Sequence, residues 1–440
     1  MKIYVSKKLQ ELSAMFSKHA KLFIVGGYVR NSLLGIGNTD VDLAGNLPPE
    51  KVVQILKGTK FEVVEKSAQL GYVKIKCEDE MYEYTAFRKD NYYPTGTHKV
   101  QSISYVEDLR QDAMRRDFTI NALYYDIETQ KIIDIYSGLL DLKNEVVRTV
   151  EVPGYVLAHD GTRILRMIRH SSELDFKIDF TTLAAAKKYA HLLHDVSPTK
   201  KYNELMAILR ASTRYSISSR KAHIKGLAYF NELRLWNSFY VATNRVHLKM
   251  VKKVSVENMF FGLLIDIIDT VKPDCIEYFI KDLLGKSGFA LPSAQIQHTN
   301  NIICGYYDAL NRINNKTYFF KYFNYFDQIG EILLARSKKL YAKYKFFYSY
   351  IIKHKLPTHI RALDITGDDL KTHCPEIPEK KYGSVLLKLL EQVFDGNVAN
   401  QKSALIQEVK NDIANNNPLP AFCGVRTDFG AGFQKAQKHK

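Results

Sequence analysis

The sequence predicts an α+β protein with a front that mixes strands and helices and a back that is helical. Three observations carry this. Strand-like runs punctuated by glycine fill the front, and from about Tyr155 onward strand signals nearly vanish while 3.6-residue apolar recurrence takes over. The charge is also divided unevenly, with a net +2 over residues 1–200 and +14 over residues 201–440. At 440 residues the chain exceeds what one hydrophobic core usually organises, so several domains in series are expected.

The elements follow in order. Phe23-Ile24-Val25 is a short β-branched and aromatic run that ends in Gly26-Gly27, and Tyr28 to Leu34 has helical spacing until Gly35 stops it. Strand, glycine turn and helix are expected there. Val73, Ile75 and Cys77 alternate with Lys74 and Lys76, a polar CEDE turn follows, and MYEYTAFR resumes as an extended segment, which together read as a hairpin. Residues 89–108 mix Pro, Gly, Asn and Thr with little periodicity and read as a mobile surface loop. In the back half, LRMIRHSSEL, TTLAAAKKYAHLLHDV, NELMAILRAS, VENMFFGLLIDIIDTV, IGEILLARSKKLYAKYKFFYSYIIKH and GSVLLKLLEQVF all read as helices. Tyr318 to Tyr350 is rich in Tyr, Phe and Lys, a mixture that suits RNA backbone and base stacking, although burial in a helical core is the commoner use of such aromatics. RTDFGAGFQKAQKHK reads as a polar tail.

Composition excludes several classes. With 46% hydrophobic and 25% charged residues, the chain is neither collagen-like nor wholly disordered. Cys77, Cys275, Cys304, Cys374 and Cys423 are scattered and odd in number, which disfavours a disulfide framework or zinc ribbon and fits a reducing cytosol. The N-terminus lacks an uninterrupted apolar run and no stretch approaches the roughly 20 apolar residues a bilayer requires, so a cytoplasmic protein without membrane partners is expected. The basic back half suits a polyanion, and nucleic acid is the commonest large one; lysines that merely keep a helical surface soluble are the alternative.

Four stretches could carry chemistry. Gly26 and Gly27 allow close backbone approach at a helix start, where free N–H groups favour an anion, and Arg30 adds a positive charge one turn in; a plain turn is the competing reading. Asp40 and Asp42 lie two apart in an extended-looking stretch and so share a face, a spacing that suits Mg²⁺ as well as it suits two solvated loop acids. Glu83 interrupts an aromatic strand, where a carboxylate is costly unless paired or metal-bound, and could complete a cluster with them. Arg115 and Arg116 form a guanidinium pair that suits phosphate, with Asp117 beside it; alternatively Asp117 caps a helix and the arginines pair with Glu107, Asp108 or Asp112. Asp160 precedes Arg163 by one turn, with Arg166 and Arg169 following at i+3 steps while Ile164, Leu165 and Ile168 face the other way; an ordinary surface ion pair is the alternative. His159-Asp160 reads as the beginning of a helix, since no ordered set of further His and Asp ligands accompanies it.

Taken together, these stretches resemble the class II nucleotidyltransferase superfamily of CCA-adding tRNA nucleotidyltransferases and bacterial poly(A) polymerases. Residues 22–43 resemble its opening motif, EYTAFR its third-carboxylate strand and MRRDFTINAL its second signature. Residues 134–150 and 159–176 follow in the expected order, and 365–406 is similar to the tail of bacterial CCA-adding enzymes. The resemblance implies an N-terminal nucleotidyltransferase head with a small mixed sheet over residues 1–150, a nucleotide-recognising helical neck over 151–210, an RNA-binding helical body over 211–355 and a tRNA-binding tail over 356–440. It further implies that Asp40 and Asp42 hold two Mg²⁺ with Glu83 nearby, that Gly27, Arg30 and Arg116 hold the triphosphate, and that Gly26, Arg115 and Asp117 belong to the nucleotide-binding set. Asp160 and Arg163 would read the base, supported by Arg166 and Arg169. The implied activity is addition of C, C and A to tRNA from CTP and ATP without a nucleic-acid template. A poly(A), CC-only or A-only enzyme, or a non-catalytic RNA-binding module, stays open as an alternative. The chain departs from the family pattern at Asn31 and His159, where acids are usual, and VSPTKKYNEL keeps Ser197 and Glu204 but loses an internal Glu-Arg pair.

Overall fold

The computed structural model describes residues 3–37, 40–92, 100–285, 288–313 and 316–415. Cys423 and the expected polar tail lie outside the described residues. The chain divides into two compact units, residues 1–300 and 301–440.

The first unit opens with α1 (Lys7–Phe16), β1 (Phe23–Val25), α2 (Gly27–Leu34), β2 (Val41–Gly45) and α3 (Pro49–Leu56). β3 (Glu62–Ser67), β4 (Tyr72–Cys77) and β5 (Glu80–Ala86) follow, then β6 (Arg88–Tyr92), β7 (Val100–Tyr105) and α4 (Leu109–Met114). β8 (Leu123–Asp126) and β9 (Lys131–Asp134) complete a seven-stranded sheet of order β3-β4-β5-β2-β1-β8-β9. β2 and β5 are parallel while their other neighbours are antiparallel, so the sheet is mixed, as expected. One face packs Phe23, Val25, Ala44, Phe87, Ala113 and Tyr124 together. On the other, α1 buries Leu9, Leu12 and Phe16, and the Phe16 ring lies 5.5 Å from that of Tyr84.

One expectation fails in this unit. Of residues 89–108, read as a loop, 93–99 lie outside the described residues, and on either side of them β6 and β7 form an antiparallel ribbon. Its residues are mostly exposed or half-buried, so neither face writes the apolar alternation that marks a strand resting on a core.

After the sheet come α5 (Gly138–Lys143), β10 (Val146–Val147), α6 (Pro153–His159), α7 (Thr162–Leu174), β11 (Lys177–Ile178), α8 (Phe180–Tyr189) and α9 (Pro198–Leu209). The near-disappearance of strands holds, since β10 and β11 are two-residue segments pairing only with each other. Helices Ala222–Glu232, Met259–Val271 and Ile276–Leu284 continue the unit.

The second unit is helical throughout its described residues. Leu370, Leu389, Leu390, Leu405 and Val409 are buried in one cluster. Tyr318, Phe319, Tyr322 and Tyr344 are buried as well, which is the core use of the aromatic-rich stretch, whereas Phe346 and Tyr350 remain exposed. The single helix expected over IGEILLARSKKLYAKYKFFYSYIIKH is two, Phe326–Arg336 and Lys338–Lys353. Ser337 breaks it by taking extended dihedrals, and its hydroxyl accepts from the Leu340 amide to cap the second helix. No helix among the described residues is long and apolar enough to cross a membrane.

Candidate active site

Strand pairing brings the acids together. β2 sets Asp42 opposite Glu83 of β5, β1 sets Val25 opposite Asp42, and β8 sets Tyr124 opposite Val25. Opposed residues on adjacent strands share a face, so Glu83, Asp42, Val25 and Tyr124 form one row across the sheet. Asp40, Asp42 and Glu83 are all exposed. That corrects the argument from burial: β5 turns Tyr82 and Tyr84 inward and Glu83 outward, so Glu83 is a solvent-facing carboxylate. Surrounding protein pushes the pKa of Asp42 up; Arg116 opposes the rise, and Glu83 and Asp40 add to it. Like charges held opposite one another on a sheet are destabilising, and a hard divalent cation with oxygen ligands relieves that strain, so the donor set fits such an ion. Among the described residues no three His, Cys, Asp or Glu side chains gather into a metal-holding cluster. Asp42 and Glu83 adjoin by register; the closed three-acid cluster that the sequence suggested is not formed.

The glycine turn stands beside these acids. Gly26 has φ of +72°, a left-handed backbone that glycine alone adopts without cost, and a Cβ on it would lie 3.5 Å from Asp42 Oδ2. Gly27 starts α2, and Gly35 ends it in a left-handed cap. Arg30 is only 3% exposed. Its Nε and Nη2 donate to Asn31 Oδ1 at 3.0 and 2.8 Å, and its Nη1 donates to Asn121 Oδ1 at 2.6 Å. A Cβ on Gly27 would lie 3.7 Å from Arg30 Nη2. The guanidinium thus lies behind the turn, hydrogen-bonded to neutral amides. Burial lowers its pKa, yet guanidinium stays protonated, so it adds positive potential to the turn from beneath.

Arg115 and Arg116 follow α4 and share one carboxylate. Asp112, fully buried, accepts from Arg115 Nε at 2.8 Å, from Arg116 Nη2 at 3.1 Å and from the Tyr124 hydroxyl at 2.5 Å. Arg116 Nε donates to that same hydroxyl at 2.8 Å, and its guanidinium lies 5.0 Å from the Tyr124 ring centre. Asp90 lies 3.9 Å from Arg115 Nη1 and accepts from Arg88 Nε at 2.9 Å, so three guanidinium groups against two carboxylates leave a surplus positive charge beside the acid row. Of the partners the sequence offered, Asp112 is the one used by both arginines. Asp117 is not a helix cap: its Oδ2 accepts from Arg166 Nε at 2.7 Å, and its Oδ1 from the Phe118 amide at 2.8 Å and Asn121 Nδ2 at 3.3 Å. Burial would raise its carboxyl, but Arg166 and then Arg163 overcome this and bring it down to about 2.

α7 carries the remaining candidates. Asp160 Oδ1 accepts from the Thr162 amide at 2.8 Å and hydroxyl at 2.6 Å, so it does begin the helix. Arg163 is not its exposed surface partner. It is 8% exposed and donates to the carbonyls of Val156 at 3.1 Å and Arg115 at 2.7 Å. Arg169 Nε donates to Glu204 at 2.8 Å, which gives the retained Glu204 a purpose, while the retained Ser197 caps α9. Ile164, Leu165 and Ile168 are fully buried, as the spacing predicts.

Sequence reasoning passed over Asn121, Tyr124 and His170. Asn121 joins Arg30 to Asp117 and has its Nδ2 3.2 Å from His170 Nε2. The available signal was a polar residue inside the otherwise apolar run TINAL.

Residues 22–148 match the family model for the Poly A polymerase head domain. The chain is 30% identical over 409 residues to the CCA-adding enzyme of Ligilactobacillus salivarius, covering 88% of this chain and 92% of that one. In fold it is similar to the Bacillus stearothermophilus CCA-adding enzyme solved in complex with CTP, with a TM-score of 0.66 at 20% identity over 92% of this chain and 98% of that one. The Thermotoga maritima CCA-adding enzyme solved with tRNA is also similar, with a TM-score of 0.60 at 19% identity over 93% and 96% of the two chains. Because the likeness runs through the head that carries the paired acids and onward across most of the chain, the protein belongs to the CCA-adding enzyme family.

Proposed function

We infer that this protein is a tRNA nucleotidyltransferase that adds C, C and A to the 3′ end of tRNA from CTP and ATP, in the cytoplasm and without a nucleic-acid template. The observation that carries the chemistry is the pairing of Asp42 with Glu83 beside the Gly26 turn and the surplus charge around Arg115 and Arg116. Asp40 and Asp42 would hold Mg²⁺, two ions in the full reading, with Glu83 adjoining. Held there, such ions would supply acidification of the attacking 3′-hydroxyl and neutralisation of charge on the phosphate and the departing pyrophosphate.

The chain's own groups do the rest. Backbone N–H groups at the start of α2 and the guanidinium beneath them favour the triphosphate. Arg115 and Arg116, splayed by Asp112, add donors that suit phosphate oxygens. At the neck, an Asp160 carboxylate accepts from the exocyclic amine of cytosine or adenine, and Arg163 donates to the ring nitrogen beside it. Uracil and guanine offer the opposite pattern and leave buried polar groups unpaired. Arg166 and Arg169 anchor the helix through Asp117 and Glu204. Residues 1–150 serve as head, 151–210 as neck, 211–355 as body and 356–440 as tail, the last two gripping tRNA through their basic surface.

The test is incorporation into a tRNA lacking its CCA end, with CTP alone, ATP alone and both. Two C additions with CTP and completion with both are expected; long adenosine runs would instead favour a poly(A) polymerase, the second reading that the head-domain match invites. Asp40→Ala and Asp42→Ala should each abolish incorporation, and unchanged activity would point to a non-catalytic RNA-binding module.

A further inference from the structure

One tyrosine at the end of the β6–β7 ribbon touches Arg163 of the base-recognising pair and His159, the residue directly before Asp160. Tyr92 closes β6, at the point where pairing with β7 slips between Asn91 and Tyr92. Its hydroxyl accepts from Arg163 Nη2 at 3.2 Å. Its ring stacks on the His159 imidazole, with centroids 4.9 Å apart and planes 17° apart, and Tyr155 meets the same imidazole edge-on at 4.5 Å. His159 directly precedes Asp160.

Count the donors that this leaves. A guanidinium has five N–H groups. Val156 O takes one from Nη1, while Arg115 O and the Tyr92 hydroxyl occupy Nη2. The Nε and the second Nη1 hydrogen have no hydrogen bond among the described residues, while three acceptors on Nη1 and Nη2 oppose rotation of the group. On Asp160, Thr162 takes Oδ1 twice, and Oδ2 has no donor among the described residues. The vacant donors and the vacant acceptor are thus separate from the atoms that hold the two side chains still. Of the three acceptors on Arg163, two are backbone carbonyls; Tyr92 supplies the side-chain one.

We propose that Tyr92 is a specificity-determining positioning residue: its hydroxyl fixes the orientation of Arg163 and its ring, through His159 at the end of α6, fixes the segment that carries Asp160 into α7. The proposal rests on the reading of Asp160 and Arg163 as the pair that recognises the base. A guanidinium free to rotate satisfies uracil or guanine at less cost, so loss of the strut shows first as lost discrimination.

The experiment measures steady-state incorporation of CTP and UTP on tRNA lacking its CCA end by the full chain. Tyr92→Phe removes the hydroxyl and keeps the stack. It is expected to lower the preference for CTP over UTP by about five- to tenfold, the worth of one hydrogen bond, with the loss in KM for CTP, kcat for CTP within about twofold and an unchanged thermal midpoint. His159→Ala should cause a similar loss that His159→Phe restores. Arg163→Lys separates the two layers of the argument. If Arg163→Lys abolishes discrimination while Tyr92→Phe leaves it within twofold, Tyr92 is not a positioning residue; if Arg163→Lys leaves discrimination intact, the base-recognition reading fails and the proposal with it. An equal fall in kcat for both nucleotides in Tyr92→Phe, with a lowered midpoint, would show a merely structural role and would also overturn it.

Discussion

The ion pair between Asp117 and Arg166 joins the segment after α4 to α7, and its strength can be worked out. Asp117 falls from the usual 3.8 to about 2 because Arg166 and Arg163 outweigh the cost of burial. A depression of that size corresponds to roughly 2.5 kcal/mol of stability at neutral pH. Arg163 and Asn121 supply part of the depression, and Arg166 keeps 39% of its side chain open to solvent, which screens part of the attraction, so about 1–2 kcal/mol is the reasoned coupling. Its sign follows from the direction: a depressed carboxyl stabilises above its unfolded value and loses that contribution as pH falls through the folded one. Asp117→Asn keeps an acceptor for the Phe118 amide and removes the charge. Urea unfolding of Asp117→Asn, Arg166→Gln and the double variant closes a cycle, and the chain's one tryptophan, Trp236, buried in the first unit, reports that unit's transition alone. A coupling near the reasoned value at pH 7, shrinking as pH drops below about 4, is expected. A coupling under about 0.5 kcal/mol, the range of exposed pairs, would refute the claim that this contact ties the two elements together.

Three further outcomes follow from other parts of the structure. Gly26→Ala forces a side chain into a left-handed backbone at a cost of about 1–2 kcal/mol and shifts the turn beside Asp42; incorporation should fall at least about tenfold with only a modest drop in thermal midpoint. His170 is held neutral well below its usual value by burial and then by Arg169, Arg30 and Arg166, so its NMR resonances should not move between pH 8 and about 5.5; a midpoint near 6.5 would contradict the described packing. Affinity for tRNA should fall steeply with salt through counterion release, about tenfold or more between 50 and 200 mM, and a flat response would sink the assignment of residues 201–440 to RNA contact.

Much of the site was legible because its steps are local. The strand, turn and helix over residues 23–35 depend on a β-branched run, a glycine that accepts positive φ and a second glycine that ends the helix, all within thirteen residues. The face shared by Asp42 and Glu83 was a conjecture until a non-local register supplied it, since nothing within either strand specifies its parallel partner. The ribbon of β6 and β7 was missed because an exposed two-stranded ladder rests on no core. The break at Ser337 was missed because apolar spacing runs straight across it, and the event is a single hydroxyl capping a helix. The burial of Arg30 and Arg163 was not legible, since arginine is usually exposed. Their burial depends on acceptors brought from far along the chain, Asn121 being 91 residues from Arg30 and Arg115 being 48 from Arg163.

Those distant acceptors also settle how the site's charges coexist. Arg30 donates to Asn121 Oδ1, which fixes the orientation of that amide, so its Nδ2 must donate, to Asp117 and to His170. His170 Nε2 is then an acceptor, and the ring's proton sits on Nδ1, whose nearest acidic atom, Glu173 Oε2, is 3.7 Å away and too far for a good hydrogen bond. A second proton on that ring would place another positive charge among Arg30, Arg166 and Arg169. Asp117 balances Arg166, and Glu204 balances Arg169. Arg30, bonded to neutral amides alone, is the guanidinium of this set left without a carboxylate in contact. Its charge is met only at a distance, by Glu173 and Asp117, beneath the turn that faces the acid row, where an incoming triphosphate would add further negative charge. The neutral Asn31, where the family usually has an acid, therefore strengthens the positive potential of the turn, and the buried network keeps that charge in place.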